Sequence, residues 1–130
     1  MMSKLWHKKT LRAINMTRGT QVGKCVRVAD TGLQRIVGLL GKRQLLPGDG
    51  LLIVPSQGVH TWGMLFPIDV AILDGQWKVI AMKQNMRPFR ITRLFWKAAA
   101  VLELPSGMLD STSTSVGDEI EFDAAEAAAR

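Results

Sequence analysis

Cysteine, histidine and long apolar runs are scarce in this chain of 130 residues. Its single cysteine, Cys25, excludes an internal disulfide bond. Together with His7 and His60 it falls short of the usual three- or four-ligand zinc site unless several carboxylates contribute. A membrane-spanning helix needs about 20 apolar residues, and the longest candidate, residues 66–73, is interrupted by a proline and an aspartate. We therefore expect no metal, no cofactor and no membrane span.

Motifs of several common enzyme classes are also missing. Ser106 stands in L-P-S-G-M and lacks the G-x-S-x-G turn of the α/β-hydrolases. In residues 38–42 the glycines precede the lysine at a predicted helix end and no Ser or Thr follows, so this is not a phosphate loop. The first 18 residues are basic but hold no continuous apolar segment of the kind found in signal peptides. We expect a cytoplasmic protein and favour a non-catalytic role.

Length and composition indicate one globular domain. Charge is uneven, because residues 1–50 hold ten Lys and Arg against two acidic residues, whereas residues 105–130 hold one against six. We predict a basic N-terminal arm over residues 1–19, a domain over residues 20–123 and a tail over residues 124–130. A basic half is typical of proteins that bind nucleic acid or an anionic lipid surface. A solvated surface that keeps the protein soluble accounts for the same charges, and we prefer it.

A central hairpin is the clearest structural signal. Asp74-Gly75 is typical of a two-residue type I′ turn, which would pair Ile72 with Trp77. Side chains alternate along strands, so one face of the hairpin would be wholly apolar and would lie on the core. That face consists of Ile68, Val70, Ile72, Trp77, Val79 and Ala81. Asp69 would then point away from the core.

Alternating apolar residues predict further strands. These strands cover residues 20–28, 51–54, 98–104 and 119–122. The spacing of Thr31 and Gln34 fits a capping box and begins a predicted helix that ends at Gly41. Residues 108–115 form a short helix or a loop. The pattern predicts a single α+β domain that is mainly β, with a small sheet curling around one core.

Four blocks of sequence resemble the bacterial and archaeal family called domain of unknown function 192. They lie at residues 29–41, 50–52, 60–75 and 101–118, and the third holds His60-Thr61-Trp62-Gly63-Met64 followed by Pro67-Ile68-Asp69. The resemblance covers about residues 20–123. It implies a compact, mainly β domain with a barrel-like sheet and one or two helices, and no established catalytic activity. Many relatives look exported.

The chain departs from the pattern of that family at several positions. The family usually has Met where Leu40 and Leu51 stand, an aromatic residue at Gly63, and Lys or Arg at Leu65. The changes at Gly63 and Leu65 would alter the wall of any pocket there.

Six residues are candidates for a ligand site. They are Arg35, His60, Thr61, Met64, Asp69 and Glu103. Polar residues at loop–strand junctions beside apolar walls favour a groove. We therefore predict a non-catalytic accessory module that binds a small ligand or a protein, with its groove around His60 and Asp69.

Two simpler or competing interpretations remain open for these residues. In an enzyme, Asp69 would orient His60 as a general acid or base. In a purely structural role, His60 would fix its loop, Asp69 would brace the hairpin, and Glu103 would form a buried ion pair with Arg35.

The segment from Arg87 to Lys97 interleaves basic residues with Phe89, Phe95 and Trp96. Base stacking and phosphate contacts by such a segment would make the protein a weak single-stranded nucleic-acid binder. An amphipathic edge that covers the core explains the same pattern, and we prefer it. The oligomeric state and the identity of the ligand are not predicted.

Overall fold

A computed structural model describes residues 10–30 and 45–125. Within these residues the chain forms seven strands and one short helix. The elements are β1 Thr10–Asn15, β2 Thr20–Ala29, β3 Asp49–Ile53, β4 Ile68–Asp74, β5 Val79–Met86, β6 Ala98–Pro105, α1 Met108–Ser111 and β7 Ile120–Ala124. The strands join in one sheet in the order β5-β4-β6-β3-β2-β1-β7. No helix of the described residues is long and apolar enough to cross a membrane.

The sheet curls until its two outer strands meet. β5 and β7 stand at opposite edges of the strand order, yet a bridge joins Lys78 to Glu119 beside them. The Val79 N–H donates to the Asp118 carbonyl at 2.9 Å, and the Ile120 N–H donates to the Trp77 carbonyl at 2.9 Å. The predicted curled, mainly β architecture is therefore confirmed as a seven-stranded half-barrel.

Most predicted strands lie within two residues of their observed positions. The exception in pairing is β2 with β3, which run parallel, whereas the other neighbours are antiparallel. Parallel strands need a crossover connection, and the connection here includes residues 31–44. The helix predicted between Thr31 and Gly41 lies outside the described residues.

Two apolar clusters cover the two faces of the sheet. The inner cluster takes residues from all seven strands and from α1, so it fills the curl. It includes Leu11, Val26, Leu52, Leu73, Leu102 and Phe122. The outer cluster lies on the other face of the central strands and is closed by side chains from two loops. It includes Leu51, Ile53, Met64, Val70, Phe95 and Val101.

The central hairpin has a longer turn than Asp74-Gly75 alone predicts. The Asp74 Oδ1 accepts N–H donors from Gln76 and Lys78, each at 2.9 Å, and Trp77 takes a left-handed φ of 66°. Leu73 therefore pairs with Val79, and Ile72 does not pair with Trp77. The predicted register was wrong, because the carboxylate of Asp74 stabilises a wider turn.

That register change moves residues between faces. Trp77 and Val79 lie in the inner cluster with Ala71 and Leu73, not beside Ile72. The Trp77 ring meets the Phe122 ring edge-on, with centroids 5.3 Å apart. Both faces of β4 are buried, so the expectation that only one face of this strand lies on the core was wrong.

Residues 10–15, expected in a surface arm, form β1 between β2 and β7. Leu11 and Ala13 are fully buried. Arg12 points to the other side, where its Nε and Nη2 atoms donate to the Asp123 carboxylate at 3.0 and 2.9 Å. The strand was not predicted, because the basic residues of this segment favoured an exposed arm. Residues 1–9 lie outside the described part of the chain.

A buried polar cluster fixes the β1–β2 turn to β7. The Asp118 Oδ2 accepts hydrogen bonds from Asn15 at 2.9 Å, Arg18 at 3.0 Å and the Ser115 N–H at 2.9 Å. Burial alone would raise the pKa of Asp118, but the hydrogen bonds from Arg18 and Asn15 outweigh it and hold that pKa below 3.8. This cluster completes the closure of the sheet.

Candidate functional site

Asp69 is fully buried, and its carboxylate accepts hydrogen bonds from backbone N–H groups. Its Oδ1 accepts the Asn85 N–H at 2.8 Å, and its Oδ2 accepts the N–H groups of Gly107 at 3.1 Å and Leu109 at 2.9 Å. Asp69 thus joins β4 to the end of β5 and to the start of α1. A carboxylate that accepts several backbone N–H groups is held in one position, as a structural brace requires.

His60 stands apart from that brace. The residue is exposed and forms an isolated β-bridge with Ile91. Its Nδ1 accepts the Trp62 N–H at 3.3 Å. No hydrogen bond joins His60 to Asp69 in the described structure. The two residues therefore do not form the oriented acid/base pair that the enzyme alternative needs.

Thr61 and Met64 are buried and serve the fold of their loop. The Thr61 Oγ1 donates to the Arg87 carbonyl at 2.6 Å and accepts the Arg90 N–H at 2.9 Å. Met64 packs in the outer cluster. Both residues lie where a ligand could reach them only by displacing protein contacts.

Glu103 is a buried carboxyl group among apolar neighbours. It stands on β6 opposite Leu51 of β3 and Val70 of β4, both members of the outer cluster. Loss of water raises the pKa of Glu103 from 4.5 to about 8. None of the described residues hydrogen-bonds its carboxyl group, and Arg35, its expected partner, lies outside them. Burial thus favours the neutral form of the Glu103 carboxyl group.

Five of the six predicted residues are described, and these five do not converge on one open groove. His60 is at the surface, whereas Thr61, Met64, Asp69 and Glu103 are buried. Thr61 and Met64 share a backbone hydrogen bond of 3.2 Å in their loop, while Asp69 and Glu103 lie on β4 and β6. Among residues 10–30 and 45–125, no group of three or more His, Cys, Asp or Glu side chains is arranged to hold a metal ion.

A different surface is prominent: two loops that run side by side, residues 57–66 and 87–97, here called the loop pair. Four backbone hydrogen bonds join them along their length. They run from the Thr61 N–H to Arg90, from Phe89 to Thr61, from Thr92 to Val59 and from Phe95 to Gln57, at 2.8 to 3.1 Å. The loop pair therefore resembles a short antiparallel ribbon outside the main sheet.

Buried threonines and a glycine lock the loop pair together. The Thr92 Oγ1 accepts the Val59 N–H at 3.0 Å, and Thr61 makes the equivalent bonds near the other end. Gly58 passes so close to Thr92 that a Cβ atom there would lie 2.7 Å from the threonine hydroxyl. Met64 and Phe95 fasten the loop pair to the outer cluster. These contacts thus fix the shape of the loop pair on the side that faces the outer cluster.

The outward side of the loop pair is strongly apolar. Of the nine exposed large apolar residues in the described structure, six stand on these two loops. They are Trp62, Leu65, Phe89, Ile91, Leu94 and Trp96. The exposed fraction is 60% for Trp62 and 91% for Trp96. Exposed apolar residues concentrated on two adjoining loops mark a site of interaction more often than scattered exposed residues do.

Charge on the loop pair has one sign. It carries Arg87, Arg90, Arg93 and Lys97 and no Asp or Glu. None of these four forms a salt bridge with another described residue. The Arg93 guanidinium lies 4.0 Å from the centre of the Phe95 ring, in cation–π contact. A shallow cleft of about 210 Å³ lies between Ile80, Arg93, Phe95, Trp96 and Lys97.

The sequence predicts part of this surface. Of the predicted segment 87–97, the basic residues, Phe89 and Trp96 belong to it, whereas Phe95 is buried. The exposure of Trp62, Leu65, Ile91 and Leu94 was not predicted. Their exposure is set by the partner loop, which turns Met64 and Phe95 inward and leaves their neighbours outside. An apolar residue in a loop gives no sequence signal for which side of the loop it takes.

The curled sheet and the loop pair define a small β-rich domain with one exposed apolar and basic surface. The chain belongs to the DUF192 family, described as uncharacterized ACR, whose model matches residues 13–122. A UPF0127 protein of Thermococcus sibiricus is 32% identical over 121 residues, which cover 87% of this chain and 75% of that protein. A UPF0127 protein of Pyrococcus horikoshii is 31% identical over 103 residues, covering 75% and 86% of the two chains.

Two crystal structures share the fold. A protein of unknown function from Novosphingobium aromaticivorans matches with a TM-score of 0.72 at 18% identity, covering 86% of this chain and 83% of that one. A Sinorhizobium meliloti protein named as a candidate transcription regulator matches with a TM-score of 0.70 at 26% identity, covering 86% and 91%. The first likeness, at its low identity, shows the fold alone.

Proposed function

We propose that the protein is a non-catalytic binding module and that the outward side of the loop pair is its binding surface. The observation that carries this proposal is the placement of six exposed large apolar residues and four cations on two hydrogen-bonded loops. None of these cations forms a salt bridge with another described residue. Exposing so much apolar surface is unfavourable in water unless a partner covers it. The loop pair is therefore the part of the described chain best suited to bind.

This proposal keeps the predicted class of function but moves the site. A groove around His60 and Asp69 has little support, because Asp69 is fully buried and its oxygens accept backbone N–H groups. His60 remains relevant as a member of the loop pair. The enzyme alternative has less support for the same reason, since no carboxylate of the described residues orients the His60 ring.

The chemistry of the surface favours a negatively charged partner. Four cations on two loops that hold no acidic residue attract anions over about a Debye length, and the exposed Trp and Phe rings then add apolar contact. A small neutral ligand would use neither property. The partner is expected to present negative charge and apolar or aromatic groups together.

Single-stranded nucleic acid is a second candidate. Phe89, Trp96 and Trp62 are exposed rings on which bases could stack beside Arg87 and Arg90. The Sinorhizobium meliloti relative, named as a candidate transcription regulator, adds some support. We rank this candidate second because half of the exposed apolar residues are aliphatic.

The test measures binding of the pure protein to three immobilised anionic probes at low salt: vesicles containing phosphatidylglycerol, an oligo-dT strand, and polyglutamate. The double variant Arg90→Gln/Arg93→Gln should weaken binding to the preferred probe about thirtyfold, since it removes two cations that each contribute about 1 kcal/mol near an anionic surface. The control Lys24→Gln/Lys78→Gln removes two exposed cations elsewhere and should bind like the parent.

Two results would contradict the proposal. One is that the parent protein is retained on none of the three probes. The other is that both double variants lose affinity equally, because general charge and not the loop pair would then be responsible. Circular dichroism of each variant checks that the fold is unchanged.

A further inference from the structure

We infer that the loop pair docks on an anionic lipid bilayer, with its apolar side chains entering the boundary between headgroups and acyl chains and its cations meeting lipid phosphates. This inference rests on the proposed function and names the partner of the same surface. Three observations support it: exposed aliphatic side chains stand beside aromatic ones, backbone N–H groups of the loops are hydrogen-bonded, and all the charges on the loops are positive.

The mixture of side chains separates lipid from nucleic acid. Leu65, Ile91 and Leu94 are aliphatic and exposed by 64% to 73%. Nucleic-acid bases gain from stacking on aromatic rings, and a branched aliphatic side chain offers no such ring. The acyl boundary of a bilayer accepts aliphatic and aromatic side chains alike, and membrane-surface elements combine Trp, Phe and Leu with Lys and Arg.

The two tryptophans suit the same location. Trp62 and Trp96 stand on different loops of the pair and are both largely exposed. An indole ring has an apolar body and one N–H donor, so it is most stable at the level of the headgroups, between water and acyl chain. The two rings would anchor the loop pair at two separate points.

Part of the backbone of the loop pair is already hydrogen-bonded within the protein. The N–H groups of Thr61, Phe89, Thr92 and Phe95 already donate to carbonyl groups within the pair. The Arg90 N–H donates to the buried Thr61 hydroxyl. Unpaired backbone groups are what usually keeps irregular loops out of an apolar environment, and these five N–H groups of the loop pair are satisfied from inside.

Charge completes the fit. Arg93 and Lys97 flank the shallow cleft beside Trp96, and the backbones of Arg87 and Arg90 are hydrogen-bonded to Thr61, the residue before the other tryptophan. A lipid phosphate in this cleft would meet two cations while its acyl chains lie beside the indole. With no acidic residue on either loop, nothing on the loop pair repels a negatively charged bilayer.

The experiment measures co-sedimentation of the full chain with vesicles of phosphatidylcholine alone and of phosphatidylcholine mixed with phosphatidylglycerol. We expect binding to the mixed vesicles, a loss of binding when salt is raised, and quenching of tryptophan fluorescence by lipids brominated on their acyl chains. Trp62→Ser/Trp96→Ser should reduce affinity at least about tenfold, because each inserted ring removes a large apolar area from water.

The matched control is Met16→Ser/Val116→Ser, which removes two large apolar side chains that are also exposed but lie outside the loop pair. This variant should bind mixed vesicles like the parent protein. Equal loss in both double variants would overturn the inference, as would vesicle binding without quenching by brominated lipids.

Probes of other chemistry separate this inference from the proposed function. Binding to oligo-dT or polyglutamate without binding to mixed vesicles would end the lipid assignment and leave the binding module standing. Failure on every anionic probe would end both. Glycerol phosphate in solution serves as a further arm: if it binds as tightly as vesicles do, the cleft recognises a free phosphate and docking on a bilayer is wrong.

Discussion

Gly58 and Thr92 approach each other so closely that the two loops of the pair leave no room for a side chain between them. A Cβ atom on Gly58 would stand 2.7 Å from the Thr92 Oγ1 atom and 2.9 Å from the Arg93 carbonyl oxygen. Thr92 is itself buried and accepts the Val59 N–H. The contact therefore sets the separation of the loops, and with it the spacing of the exposed side chains.

Replacing Gly58 with alanine should force the loops apart. We expect Gly58→Ala to lower the free energy of unfolding by about 1–3 kcal/mol, the usual cost of overpacking, and to speed hydrogen exchange at the Val59 and Thr92 amides. The control is Gly75→Ala in the hairpin turn, where a Cβ atom meets nothing within 4 Å. Equal stability of the two variants would show that the close approach does not constrain the loops.

Thr61 should be needed for its hydroxyl group and not for its bulk. Thr61→Val keeps the volume but leaves the Arg90 N–H without its hydroxyl acceptor, which should cost about 1–3 kcal/mol. Thr61→Ser keeps the hydroxyl and should cost less. Chemical denaturation measures both. If serine proves as harmful as valine, packing of the methyl group is what matters.

Asp69 should affect stability far more than His60 does. Asp69→Asn places an amide N–H₂ where a carboxylate oxygen now accepts backbone donors, and we expect a loss of roughly 3 kcal/mol. His60→Ala changes an exposed side chain and should stay within about 0.5 kcal/mol. Thermal melting compares the two. Similar losses for both variants would mean that His60 also braces the fold.

Glu103 should make stability fall as pH rises. Its folded pKa of about 8 lies above its ordinary value of 4.5, so between these values the folded protein binds more protons than the unfolded chain. The Glu103 contribution is therefore complete below about pH 4.5 and is lost as pH rises through about 8, by up to roughly 1.4 kcal/mol per pH unit.

Glu103→Gln removes the titrating carboxyl group and should make the stability of the fold depend less on pH. Unfolding measured from pH 5 to pH 9 should show a smaller slope for Glu103→Gln than for the parent protein. Glu121→Gln, on the exposed side of β7, is the control and should keep the parent slope. An unchanged slope in Glu103→Gln would show that the carboxyl finds a cationic partner when it ionises.

The strands were predictable because alternation follows directly from strand geometry. Val22 and Val26 share a face in the sequence pattern and in the inner cluster, and β6 begins at Ala98 as the pattern indicates. The hairpin register was not predictable in the same way. Asp-Gly indicates that a turn is present, but the side chain of Asp74 and the packing of Trp77 on Phe122 choose its length.

The candidate site was harder to predict from the sequence than the strands were. His60 and Asp69 are near in sequence and chemically suited to each other. The Asp69 carboxylate nevertheless accepts its hydrogen bonds from the backbone N–H groups of Asn85, Gly107 and Leu109. Those donors come from distant parts of the chain, so no local sequence pattern predicts them.

The family, the β-rich class, most strand positions and the basic, aromatic segment could all be predicted from the order of residues along the chain. Each of these depends on a local pattern: alternation, turn residues, or a run of side chains. Which polar residues brace the fold and which apolar residues remain exposed could not be predicted in this way. Burial and hydrogen bonding are relations between distant segments, and they exist only once the sheet has curled and the two loops lie side by side.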